Sequence, residues 1–450
     1  MSAQLPAIKT AAPGLRAVRG RRLAWAKLWP ESGAVNPIPA LDGLRALAVL
    51  LVILFHASTF AEGNPSGNPA SAIFYGKTGV QLFYVLSGFL LSLPYAQWFF
   101  GLRKRPSTLL FYKRRALRVG PAYWVSLLIL GLATAPTIAS VRDVALHAVF
   151  LSNTTWLSTF SINGVYWTMA IEVQFYALLP LIWLAIYGLA RLVRPAGALV
   201  VILAALVLIS LASHIIGASG RFATVPVVAS AILSYAAMPY WLGVFACGIG
   251  AAAAYTFLTR VSRIPAQLQA RLRTFSTVAC LAGIAFGLML AFSPDAHHWL
   301  VQDLLFGLAY TGLLAGVLLG APIFRRLFAS RPARLLGLIS YSFYIWHRVV
   351  LHVLASKFGF IHSLPGRVVA LFIVGTLLSA AVAYASYQLL ERPFLTARKR
   401  AHESESVPRR GRRPAALGVS SSPRPTSSGA PGPAGVVAVG NPSAWDPTTR

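Results

Sequence analysis

The sequence predicts an all-α protein, a polytopic bundle of about ten membrane-spanning helices with both termini cytoplasmic. Three observations predict it. Of the 450 residues, 56% are hydrophobic and only 11% charged, with a mean hydropathy of +0.65, whereas soluble domains carry about 25% charged residues. Apolar runs of roughly twenty residues recur along the chain, the length at which a helix crosses a bilayer. Lysine and arginine gather in alternate loops and in both tails, which accounts for the net charge of +29 by membrane orientation and leaves no need for a nucleic-acid partner. Cys247 and Cys280 both lie in apolar segments, so neither a disulfide framework nor a metal site is expected.

Residues 1–36 form a basic tail containing Arg16, Arg19, Arg21, Arg22 and Lys27. The first apolar run is long enough to span, so no cleavable signal peptide is expected. The expected spans are 38–59, 79–99, 120–140, 165–190, 197–217, 225–256, 274–292, 300–322, 335–357 and 367–391. The sixth is too long for one simple crossing and predicts tilt or a break at Pro239. With the N-terminus inside, the cytoplasmic loops hold Arg103, Lys104, Arg105, Lys113, Arg114, Arg115 and Arg118. They also hold Arg191, Arg194, Arg260, Arg263, Arg271, Arg273, Arg325, Arg326, Arg331 and Arg334. Only Lys77, Arg142, Arg221, Lys357 and Arg367 stand opposite. An even number of spans agrees with both termini inside. Residues 37–395 are thus one membrane domain. Residues 396–450, rich in Ser, Pro, Gly, Arg and Ala without periodicity, are expected to be disordered. The inner or plasma membrane is the expected location.

Polar residues inside apolar spans are costly and mark sites. Arg45 and His56 in LDGLRALAVLLVILFHAS are eleven residues apart. That spacing puts both on one stripe of a helix, about 16 Å apart along its axis. The plainer alternative is that Arg45 snorkels at the membrane edge and His56 is interfacial. Glu172 in VYWTMAIEVQFYALLP lies roughly 10 Å below the outer surface, a depth comparable with that of His56. A His56–Glu172 pair would fix the imidazole tautomer and raise its basicity; the alternative is a structural Glu bonded to Tyr, Trp or backbone groups. His347 in SYSFYIWHRVV also falls in the outer half. In GVQLFYVLSGFLL, Gly88 beside Ser87 suits close helix approach. Asp295, His297, His298 and Asp303 form a weaker candidate for a metal or sugar-binding loop. On the inner side, Arg114, Arg115 and Arg118 occupy neighbouring turns and suit bidentate phosphate binding, although orientation alone explains much of their presence.

Together these segments resemble the acyltransferase 3 family of integral-membrane acyltransferases. Arg45 and His56 match its Arg/Lys-x10-His motif, and GVQLFYVLSGFLL its Ser-Gly-Phe motif. FYKRRALRVGPAYW is similar to its Arg-Arg-x-x-Arg-aliphatic-x-Pro-x-Tyr segment. VYWTMAIEVQFYALLP is similar to its Trp-Ser/Thr-Leu-x-x-Glu-x-x-Phe-Tyr signature, with Met169 in the Leu position. ISYSFYIWH and YQLLERPF resemble the two C-terminal signatures. The likeness covers about 38–395. One departure is that MPYWLGVFACGIGA keeps Phe245 and Gly248 of the sixth-span motif but has Trp241 where the family has arginine. No hydrolase-like domain is expected after the membrane domain, unlike in the longer members.

The resemblance implies an O-acyltransferase that takes an acyl group, often acetyl, from cytoplasmic acyl-CoA, a co-substrate and not a resident cofactor. The acceptor would be a hydroxyl on a cell-envelope glycan or a glycosylated small molecule such as a macrolide. It implies an essential role for Arg45 and His56, and with Glu172 from the reading of the spans these form the expected catalytic set. Arg114, Arg115, Arg118, Ser87 and Tyr123 fall to the donor, and Trp167, His347 and Tyr341 to the acceptor. His56 either deprotonates the hydroxyl or takes the acyl group itself. A pantetheine arm is roughly as long as the Arg45–His56 rise of about 16 Å. The rival reading is a transporter or flippase of a lipid-linked sugar that uses the same polar spots as a path. It lacks visible repeats or paired broken helices in its support.

Overall fold

The computed structural model describes residues 38–63, 78–134, 141–218, 235–259, 266–292 and 299–395. All belong to the compact unit Met1–Arg400; the unit Ala401–Arg450 contributes none. Both tails lie outside the described residues, as do Lys77, Arg221, Arg260, Arg263, Asp295, His297 and His298.

Among the described residues there is helix and no strand. Ten longer helices follow the expected spans. They are α1 (Ala40–Ala61), α2 (Gly79–Phe99), α3 (Thr108–Thr134), α4 (Tyr166–Leu189) and α5 (Pro195–Ala218), then α6 (Met238–Thr259), α7 (Ala266–Phe292), α8 (Trp299–Leu319), α9 (Ser340–Ala355) and α10 (Leu364–Ser386). Runs of Leu, Ala, Val and Ile give each one an apolar surface, and the helix satisfies most of its backbone N–H and C=O groups internally, as a lipid environment requires; Pro94, Pro121 and Pro180 each remove one such bond from α2, α3 and α4. Eight of the ten are long and apolar enough to cross a membrane. A ninth crossing results if the Arg331–Leu338 helix and α9, bent by 76°, count together. Among the described residues, length and composition thus give eight or nine crossings, in keeping with the expected bundle of about ten. Parity differs between the two counts and does not place the termini.

The sixth span is interrupted beside Pro239, as expected: residues 235 and 236 are helical, 237 is a bend, and α6 begins at Met238 with Pro239 at its second position. One expectation changes. The third span begins earlier than expected: α3 starts at Thr108, so Arg114, Arg115 and Arg118 ride on the helix itself, with Pro121 inside it.

Helix α1 lies between two apolar clusters. On one side Leu41, Leu44, Ala48 and Val52 join Leu82, Phe89, Phe175, Trp241 and Phe245 of α2, α4 and α6. On the other, Val49 and Ile53 meet Phe343, Leu351 and Leu371 of α9 and α10. Its polar residues are consequently held inside the bundle. Helix α5 instead exposes Val200, Val201, Leu208, Ile209, Ile215 and Ile216, the face expected toward lipid.

Gly88 behaves as its sequence setting suggests. A Cβ there would come 2.6 Å from the Phe245 carbonyl oxygen, and one on Gly248 would strike the Val85 carbonyl. The two glycines let α2 and α6 touch backbone to backbone. We expect Gly88→Ala to force these helices apart and destabilise the protein by about 1–3 kcal/mol. Thermal unfolding of the detergent-solubilised protein measures it; an unchanged midpoint would show the crossing can relax.

Candidate active site

The stripe of α1 that carries Arg45 and His56 faces α9. Ser340 and His347 are seven residues apart on α9, two helical turns, so they too share a face. Arg45 Nε donates to Ser340 Oγ at 3.4 Å. Three turns along α1, His56 Nδ1 lies 3.2 Å from His347 Nε2 and 3.0 Å from the Val52 carbonyl oxygen. The two imidazoles meet edge to face, with centroids 4.9 Å apart.

A cleft opens at the Arg45 end. Arg45, Val80, Phe83, Tyr84, Thr168, Met169, Glu172, Ser340, Tyr341 and Tyr344 line it. It encloses about 390 Å³ counting the part open to solvent. Glu172 accepts a hydrogen bond from Ser87 Oγ at 2.7 Å and lies beside the Tyr176 hydroxyl. Arg45, Arg115 and Arg118 all sit within electrostatic range of one another, and Glu172 is the carboxylate within range of both Arg45 and Arg115. The cleft lining thus holds one guanidinium, Arg45, and one carboxylate, Glu172, with Arg115 and Arg118 outside the lining but within electrostatic range of Arg45.

Each expected residue has a definite place. Glu172 and His56 are not partners: the carboxylate is engaged by Ser87, and the imidazole by His347 and Val52. Comparable depth along two helices does not fix which way each side chain turns. His347 is fully buried, packed against Phe343 and Tyr344, and meets His56 with no surface of its own for an acceptor. Tyr341 lines the cleft, but its hydroxyl donates to the Val119 carbonyl at 2.6 Å. Tyr123 is buried away from the cleft lining, stacked on Phe150 and donating to the His147 carbonyl. Trp167 belongs to an aromatic cluster with Tyr235 and Trp241 and does not line the cleft. The arginine position of the sixth-span motif is thus filled by an indole in that cluster, whose N–H donates to the Tyr235 carbonyl.

The arginines of α3 divide. Arg118 forms a 3.0 Å ion pair with Glu391, whose side chain is wholly buried. Arg115 lies over the Tyr176 ring at 5.9 Å. Arg114 and Arg115 each keep a buried Nε with no hydrogen-bond partner among the described residues. Asp303, from the weaker candidate loop, is buried and accepts from Gln81 and Tyr240.

Glu391 was missed by the sequence reading. It lies in a π-helical turn, Tyr387–Glu391, after α10, and accepts from Ser342 Oγ at 2.6 Å. A carboxylate at the end of an apolar span was the available signal. Ser340, Thr168 and Tyr344 were missed too; uncharged polar residues in spans are too common to single out.

The family model of the acyltransferase domain matches residues 38–385. The chain belongs to the acyltransferase 3 family. Every residue lining the cleft falls inside the match, and the family together with the apolar helices makes this a multi-pass membrane protein. Relatives include the O-acetyltransferase OatA of Staphylococcus aureus, 24% identical over 381 residues, which are 79% of this chain and 57% of that protein. The peptidoglycan O-acetyltransferase OatA of Listeria monocytogenes is 26% identical over 336 residues, 69% of this chain and 49% of that protein. The chain spans about half the length of the relatives it matches. No solved structure matches it significantly.

The Arg118–Glu391 pair makes a stability prediction that separates it from ligand binding. Glu391→Ala strands a buried guanidinium and should cost about 3–5 kcal/mol, whereas the double variant R118M/E391L should recover much of that loss. Unfolding midpoints without any ligand test this; equal losses in the single and double variants would count against it.

Proposed function

We propose that this chain is an integral-membrane O-acyltransferase. It moves an acetyl group from acetyl-CoA, bound at the cytoplasmic side, to a hydroxyl of a carbohydrate-containing acceptor such as a cell-envelope glycan. The observation that carries this reading is the cleft lined by Arg45 and Glu172, with an imidazole pair three turns further along the same helix as Arg45. Membership of the family supports acyl transfer. The names of the relatives support a hydroxyl acceptor, and for the Listeria protein peptidoglycan. The basic loops support both termini inside, which puts the arginines of α3 on the donor's side.

In this reading Arg114 and Arg115 hold donor phosphates, while Arg118 is tied to Glu391 and braces the wall. Arg45, about three turns from His56, orients the CoA arm so that its thioester reaches the imidazole pair. Glu172 keeps Arg45 turned into the cleft and receives Ser87, a role different from pairing with His56. His56 removes the acceptor's proton as general base. The acceptor O–H bond breaks and its oxygen bonds to the thioester carbonyl carbon. The C–S bond then breaks, and the thiolate takes the proton back from His56.

Purified protein in lipid vesicles, given radiolabelled acetyl-CoA and a glycan acceptor, should transfer label. His56→Ala should lower turnover by about 100-fold or more. Arg115→Ala should raise KM for acetyl-CoA about tenfold with kcat little changed, the effect of losing a charged hydrogen bond. Undiminished turnover in His56→Ala removes the imidazole from the reaction. Glycan flux with no acetyl-CoA consumed favours a transporter instead.

A further inference from the structure

His347 is wholly buried, and its hydrogen-bonding capacity has an unusually definite assignment. Its Nδ1 lies 2.8 Å from the Tyr344 carbonyl oxygen and 3.3 Å from that of Phe343. Both are pure acceptors, so Nδ1 carries the hydrogen. In the neutral ring Nε2 then carries a lone pair, and this lone pair faces His56 Nδ1 at 3.2 Å. Around His56 Nδ1 stand two acceptors, the Val52 carbonyl and His347 Nε2. That nitrogen must therefore be the donor, which leaves His56 Nε2 unprotonated. The Val52 carbonyl is a shared acceptor, since in the helix it already receives the backbone N–H of His56. Among the described residues His347 Nε2 has His56 as its one donor.

From this chain of bonds we propose that His347 is the positioning residue for His56: it selects the tautomer whose free Nε2 acts as base. It also receives the Nδ1–H as positive charge develops on His56 during proton abstraction. The inference rests on the proposed role of His56 as base and deepens it. It replaces acceptor binding as the role of His347, whose fully buried ring is closed in by Phe343 and Tyr344. The Tyr344 carbonyl does for His347 what a carboxylate does for many catalytic histidines: it holds the second ring upright so that the first can be held in turn.

Two conservative variants separate this from a packing role. In His347→Gln the amide oxygen reaches the position of Nε2 and can accept from His56. In His347→Asn the amide can still donate to Tyr344 but stops short of His56. We expect His347→Gln to keep kcat within about tenfold. His347→Asn should lose about 100-fold in kcat, with KM for acetyl-CoA unchanged within about twofold. Equal losses in the two variants, or no loss in either, overturn the proposal. Wild-type protein with 15N-labelled histidine, studied by solid-state NMR in lipid, gives a test independent of variant folding. His56 should show a protonated Nδ1, a bare Nε2 and a coupling across the hydrogen bond to His347. The opposite tautomer overturns the proposal. If His56→Ala is inactive while His347→Asn matches wild type, this inference alone fails. If His56→Ala is fully active, the acyl-transfer reading of His56 fails with it.

Discussion

A buried ion pair fixes the wall against which the cleft is built. Arg118 of α3 and Glu391 of the turn after α10 meet at 3.0 Å, the carboxylate entirely enclosed. Ser342 of α9 donates to the same carboxylate, and its neighbour Tyr341 donates to the Val119 carbonyl of α3. Three helices are thereby joined at one point, and the segment so pinned contains Ser340 and Tyr341, two residues of the cleft lining. A charge in an apolar bundle costs several kcal/mol unless paired. The π turn that presents Glu391 is the local departure from α-helix that brings it to Arg118.

The second organising relation is α1 against α9. Both helices offer polar groups on a single stripe, and the stripes face each other. Arg45 finds Ser340 at one end, and His56 finds His347 at the other. Between the two ends stand Phe83 and Tyr344, whose rings meet edge to face at 5.8 Å. Tyr344 is shared by both regions: it lines the cleft, lies 2.8 Å from the Thr168 hydroxyl, and offers its carbonyl to His347. A thioester arm entering at the arginines would reach the imidazole pair by passing these rings.

Much of this was legible without coordinates. Helical periodicity put Arg45 and His56 on one stripe, Gly88 stood where close approach was expected, and the ordered motifs named the family. Less legible were the partners. Glu172 and His56 share a depth, but depth along an axis does not say which way a side chain points, and Ser87 lies closer in space to the carboxylate. Arg118 reads in sequence like its neighbours Arg114 and Arg115. Only the return of the chain 273 positions later, at Glu391, sets it apart. Tyr123 sits in a motif with the arginines, yet the turn of α3 carries its ring to Phe150 and Tyr166.

The sequence by itself determined which segments are helical, which of them are apolar enough for lipid, and which residues of one helix share a face. These depend on backbone hydrogen bonds and side-chain spacing within a few turns. Tertiary structure decided which carboxylate meets which guanidinium and which imidazole meets which. Those choices depend on the rotation and closeness of packed helices, set by contacts such as Gly88 against Gly248 between residues far apart in the chain.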